Sequence, residues 1–130
     1  MTQEELITYW LESAEDNYRS MQNMFQSGEF VWSLFVGHLC IEKLLKAYYV
    51  KSISSTVPRI HDLYKLADRS GLKMTEEQKD SLQYVGLFNI EARYEEYKRE
   101  FYQKCTRSFA ETNIETIKDL RKWLLEKINN

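Results

Sequence analysis

The chain is predicted to be all-α, an up-down bundle of four main helices plus a short helix. Three observations give this class. The stretch VWSLFVGHLCIEKLLKAYYV, from Val31 to Val50, is apolar on nearly every side in its first half, so other helices must surround it. Apolar residues elsewhere recur at helical spacing, with no alternation of the strand kind. The chain has only one Pro and four Gly, which leaves few points at which a long helix would break.

The first helix is carried by Ile7, Trp10, Leu11, Ala14, Tyr18, Met21 and Phe25, a single stripe. Glu4, Glu5, Glu12, Glu15 and Asp16 load its early turns with the charge that suits the positive end of a helix dipole. Gly28 is its natural stop. The second helix runs from about Phe30 to about Lys51, and Ser52 to Pro58 is a connector. A short helix follows Pro58 within HDLYKLADRSG and closes at Gly71. Thr75 and Gln78 form a capping-box pattern that opens a fourth helix, TEEQKDSLQYVGLFNIEA, with Leu82, Val85 and Phe88 or Ile90 facing inward. Gly86 weakens its end. RYEEYKREFYQK, from Arg93, reads as helical or partly irregular. The last helix starts near Thr106 and carries Phe109, Ala110, Ile114, Ile117, Leu120, Leu124 and Ile128.

At 130 residues the chain is expected to be one domain, residues 1–130, with no repeat or linker. A net charge of -2 gives no global attraction to nucleic acid or anionic membranes. The N-terminal segment is acidic and has no apolar run of the signal-peptide kind. No stretch is apolar enough to span a bilayer, so the cytoplasm is the expected compartment. Cys40 and Cys105 read as reduced, buried thiols.

Three short clusters carry polar chemistry. Glu42, Lys43 and Lys46 continue the apolar helix. Glu42 and Lys46 stand four apart, the spacing of an intrahelical ion pair at the bundle rim; the alternative, for charges that continue a buried helix, is that they face a partner subunit or a ligand phosphate. Pro58, His61, Asp62 and Leu63 form P-x-x-H-D-L, where Asp62 favours a helix start and His61 caps, packs, or stands at the mouth of a cleft to hold an anion or move a proton. In Ala92-Arg93-Tyr94, Arg93 has a planar fork for phosphate or carboxylate, with a structural salt bridge its simplest role, and Tyr94 can stack or hydrogen-bond. His38, inside the apolar helix, is expected to be packed and hydrogen-bonded there. No metal site is expected, since the two histidines lack Cys or carboxylates at ligand spacing, and no cofactor is implied. P-loop, GxGxxG and GxSxG patterns are absent. From Arg93 to Arg107, cations and aromatics interleave as in an RNA-binding surface. Glu95, Glu96 and Glu100 dilute that charge, and a solvated face is the expectation.

Taken in order, WLESAEDNYRSM (Trp10–Met21), SGEFVWSLFVGHLCIEKLLKAYY, PRIHDL and EARY resemble the HEPN domain family, the helical domains named for higher eukaryotes and prokaryotes nucleotide-binding. The ordered set E-K-x-x-K, H-D-L and A-R-Y carries the likeness across almost the whole chain. The resemblance implies a helical bundle that dimerises. It implies a nucleotide as ligand and, for many prokaryotic members, a minimal nucleotidyltransferase as partner. Several branches are ribonucleases of toxin–antitoxin or defence systems, with an active site of Arg, four to six residues, then His at the dimer interface. Here no histidine follows Arg93, and neither Arg19 nor Arg59 has one at the required distance. The A-R-Y pattern resembles the non-nuclease, nucleotidyltransferase-associated branch.

The expectation is therefore a non-catalytic, homodimeric binding module beside a nucleotidyltransferase, with Glu42, Lys43, Lys46, His61, Asp62, Arg93 and Tyr94 as the nucleotide site. Trp32 and Trp123, lying off the main stripes, are the expected interface aromatics. The alternatives are a ribonuclease with an altered active site, using His61 or Tyr94 with Arg93, and a plain protein–protein adaptor.

Overall fold

Because α2 (Phe30–Ser52) has no face free of apolar residues, the chain wraps around it. The computed structural model describes all 130 residues, Met1 to Asn130, as seven helices without a strand. α1 (Gln3–Gln26) opens on a capping box: the Thr2 hydroxyl accepts from the Glu5 amide at 3.1 Å, and the Thr2 amide donates to the Glu5 carboxylate at 2.9 Å. Those bonds hold the Glu5 carboxyl below its ordinary range. α1 ends at Gly28, whose φ of 81° suits glycine, and the chain turns back into α2. Gln3 reaches the Val50 carbonyl at 3.0 Å and Ser33 donates to the Met21 carbonyl at 2.8 Å, so the two helices run antiparallel.

α3 (Leu63–Arg69) is capped by Asp62 and closes at Gly71, with φ of 79°. The capping box at Thr75 and Gln78 opens α4 (Glu76–Gly86) as the sequence predicts. The expected fourth helix does not continue unbroken to Ala92. It breaks at Leu87 and resumes as the single turn α5 (Phe88–Glu91). The break turns Phe88 inward, where its ring meets Phe101 at 5.6 Å, and leaves Ile90 40% exposed, which decides between the two. RYEEYKREFYQK resolves as α6 (Glu95–Lys104), anchored by the buried Phe101. Thr106 caps α7 (Arg107–Asn129) by accepting from the Phe109 amide.

Lys51 at the end of α2 donates to the Lys127 and Ile128 carbonyls at 3.0 and 2.7 Å, so α7 lies parallel to α2 and its terminal carbonyls are satisfied by a cation. Lys104 lies over both Tyr84 and Phe109, which puts the end of α4 at the start of α7. The four main helices, α1, α2, α4 and α7, thus alternate in direction. α3 and α5 cover the side of α2 that the long helices leave free, and α6 packs against α5.

Gly37 marks the tightest crossing. A Cβ there would stand 2.7 Å from both Ile117 Cδ1 and Met21 Sδ, each belonging to a fully buried side chain. Glycine costs about 1 kcal/mol of helix propensity against alanine, and the close approach of α1, α2 and α7 is what it permits. Gly37→Val is expected to overpack this crossing and lower stability by about 2 kcal/mol, read as a reduced urea midpoint.

Candidate functional site

Phe35, His38, Glu42 and Lys46 follow one another on α2 in steps of three, four and four, so they form one stripe. Toward the end of α2 this stripe meets the segment before α3. Glu42 is only 4% exposed, so its carboxylate requires partners. Lys46 donates to Oε2 at 3.1 Å, and His61 Nδ1 lies 3.2 Å from Oε1. One buried acid therefore joins a lysine of its own helix to a histidine 19 residues along the chain. Asp62 holds His61 in place indirectly: its carboxylate accepts from the Lys65 amide at 3.0 Å and caps α3, which fixes the turn that carries the imidazole.

The sequence-predicted residues divide into three groups. Glu42, Lys46 and His61 touch. Arg93 stands further along the same stripe, above Phe35 at 5.8 Å, about 10 Å along the helix from Glu42. Its Nε donates to the Asn89 carbonyl at 3.1 Å, and it pairs with no carboxylate, so the salt bridge expected for it does not form and the fork stays open. The reason is local: the neighbouring acids Glu91, Glu95 and Glu96 belong to helical turns on either side of the arginine, which itself reaches back to its own turn. Tyr94, 50% exposed, lies beside Arg93 at 5.8 Å. Lys43 is turned about 100° from Glu42 around α2; it makes no hydrogen bond or ion pair, and burial holds its ammonium below the ordinary lysine range, with Asp16 of α1 in its field.

His38 is fully buried as expected, but it is not hydrogen-bonded. Neither ring nitrogen has a partner. The Phe35 carbonyl is close enough to favour the charged imidazole yet lies outside hydrogen-bond geometry, and Nε2 stops 3.7 Å from Glu42 Oε1. Burial is the main cause that holds its pKa below the ordinary value; Glu42 opposes the shift, while His61 and Arg93 add to it. These charges place His38 beneath the cluster, with Glu42, His61 and Arg93 around it. The indole of Trp10 closes the far end, with Lys46 5.1 Å from its ring centre and Nε1 unpartnered. Sequence reasoning missed Trp10, Phe35 and His38 as neighbours of the site. The stripe from Phe35 to Lys46 was legible, but which segments would cross it was not.

A cleft of about 480 Å³ between α3, α4 and α5 has His61 on its rim and Leu82, Leu87 and Ile90 in its wall. No group of three or more His, Cys, Asp or Glu side chains is arranged to hold a metal ion. Both thiols are free and buried, and burial pushes Cys40 up to about 12 and Cys105 up to about 11, which removes them as nucleophiles at neutral pH. No helix is long and apolar enough to cross a membrane.

The HEPN domain family matches residues 7–128, from the first stripe of α1 to the last turn of α7. The chain belongs to the HEPN family. No curated protein and no solved structure matches it. In this HEPN domain the E-K-x-x-K and H-D-L motifs meet through the Glu42 carboxylate, while A-R-Y places its arginine further along the same stripe.

The orphaned imidazole has a consequence for stability. The unfolded chain binds the His38 proton at its ordinary pKa, and the folded chain only at lower pH. The stability of the neutral, buried form is therefore present above about pH 6.5 and is lost as the pH falls from there toward the lowered folded value. Urea unfolding at pH 7.5 and 5.5 is expected to show a loss of roughly 1 kcal/mol that His38→Leu removes.

Proposed function

We propose that this HEPN domain is a non-catalytic binding module that acts as a homodimer beside a minimal nucleotidyltransferase and holds a nucleotide by its phosphates. The observation that supports the reading is the Glu42 cluster, where a lysine and a histidine from separate segments converge on one buried acid, with an unpaired arginine on the same stripe. Lys46 and Arg93 supply two permanent cations against one carboxylate. An ammonium serves a phosphate as a point charge, and a guanidinium serves it as a fork. Tyr94 offers a ring to a base. The missing nuclease histidine supports a non-catalytic role: after Arg93, the positions at which it would stand hold Lys98, Arg99 and Glu100.

The homodimer reading rests on exposed aromatics. Trp32 is 38% exposed and meets Phe35 edge-on at 5.7 Å, next to Arg93, so it supports an interface beside the site. Trp123 supports it less, because it packs against the core of its own chain.

One observation favours a second reading, a ribonuclease with an altered active site. The Glu42 contact is made by His61 Nδ1, which leaves Nε2 of an exposed ring free, the arrangement of a carboxylate-oriented general base.

Calorimetric titration of the protein with ATP, alone and with a co-purified nucleotidyltransferase, is expected to show binding that Lys46→Gln and Arg93→Ala each weaken by about tenfold. Absence of heat in both preparations would remove the nucleotide from the reading. RNA cleavage that disappears in His61→Ala would favour the second reading instead. Light scattering is expected at twice the 15.6 kDa of one chain, and a purely monomeric signal at micromolar concentration would remove the dimer.

A further inference from the structure

His38 has no role in the reading just given, and it is the most anomalous polar group of the molecule. It is completely buried, its two ring nitrogens are both without partners, and it lies directly beneath the proposed phosphate site. A buried polar group left without a hydrogen bond is destabilising, and few native groups stay so. Glu42 is the one acid within reach. Its Oε1 is 3.2 Å from His61 Nδ1 and 3.7 Å from His38 Nε2, so the same oxygen stands between two imidazoles and bonds to only one.

The site also has an internal competitor. In the free protein the two groups that would receive a phosphate, Lys46 and His61, are already engaged by the Glu42 carboxylate. An incoming anion must displace that carboxylate or meet its repulsion. Solvent is a poor destination for a side chain that is 4% exposed on a buried helix face. His38 is a nearby one: it is four residues earlier on the same face, and a shift of less than an ångström would bring Nε2 and Oε1 into hydrogen-bond range.

We propose that His38 is a positioning residue of the anion site, the second post to which Glu42 moves when a phosphate takes Lys46 and His61. Glu42 leaves His61 and accepts a hydrogen bond from His38 Nε2–H. No covalent bond changes, and the imidazole stays neutral in its Nε2–H form. The orphaned imidazole is satisfied only in the bound state, so a group left unmatched in the free protein favours the liganded one. Glu42 thereby acts as a built-in stand-in for the anion, keeping Lys46 and His61 paired when the site is vacant. His61 and Arg93 also face His38, and a phosphate settling between them stabilises the same arrangement.

The inference rests on the anion reading of this site, and the experiment separates the two. Long-range proton–nitrogen correlation spectra of the imidazoles are recorded while the wild-type protein is titrated with metal-free ATP. The expected result is a shift of the His38 Nε2 resonance into the hydrogen-bonded range at the ATP concentrations that saturate the calorimetric signal. Binding with an unchanged His38 resonance overturns the second post and leaves the nucleotide reading standing. No binding, either alone or with the co-purified nucleotidyltransferase, overturns both. A double-mutant cycle supplies the energetic arm: His38→Leu is expected to weaken ATP binding roughly tenfold when Glu42 is present and to have no effect in a Glu42→Leu background. Equal effects in the two backgrounds assign His38 to packing alone and overturn the proposal.

Discussion

The constraint on which the structure depends is the absence of a solvent face on α2. Twelve of its residues are buried, drawn from every side of the helix, so the rest of the chain has to enclose it. α1 and α7 do so along two sides, close enough at Gly37 that any side chain would intrude. α3, α5 and α6 are too short to stand alone and are held by what they cover. Burial around α2 is also what makes the polar residues of that helix informative. A glutamate on a surface helix needs no partner; Glu42 does, and the need draws His61 and Lys46 into contact.

The same logic gives the site its character. A desolvated carboxylate between two potential donors has a strong electrostatic interest in how they are used, since interactions are stronger where water is excluded. Lys46 is braced on the other side by the Trp10 ring, and Arg93 by the Phe35 ring, so both cations are positioned by aromatic faces. The cluster is buried at His38 and Glu42 and exposed at His61 and Arg93.

Much of the fold was legible in the sequence because the relevant signals are local. Gly28 and Gly71 stop helices through left-handed backbone, the capping box at Thr75 starts one, and the stripe from Ile7 to Phe25 specifies a single buried face. The break at Leu87 was not legible. The apolar pattern runs on through Leu87, Phe88 and Ile90, and only the packing of Phe88 against Phe101 selects which of them turns inward. The salt bridge anticipated for Arg93 failed for a similar reason, because spacing to nearby acids says nothing about which way a short turn aims its side chains.

The sequence by itself determined the long helices, the central place of α2, and membership of the HEPN family. Those properties follow from periodicity and residue type along a few consecutive turns. Tertiary structure alone decided that Glu42 serves two motifs at once and that His38 is buried without a partner. Each of these depends on distances between segments far apart in the chain, and such distances are set by how whole helices pack.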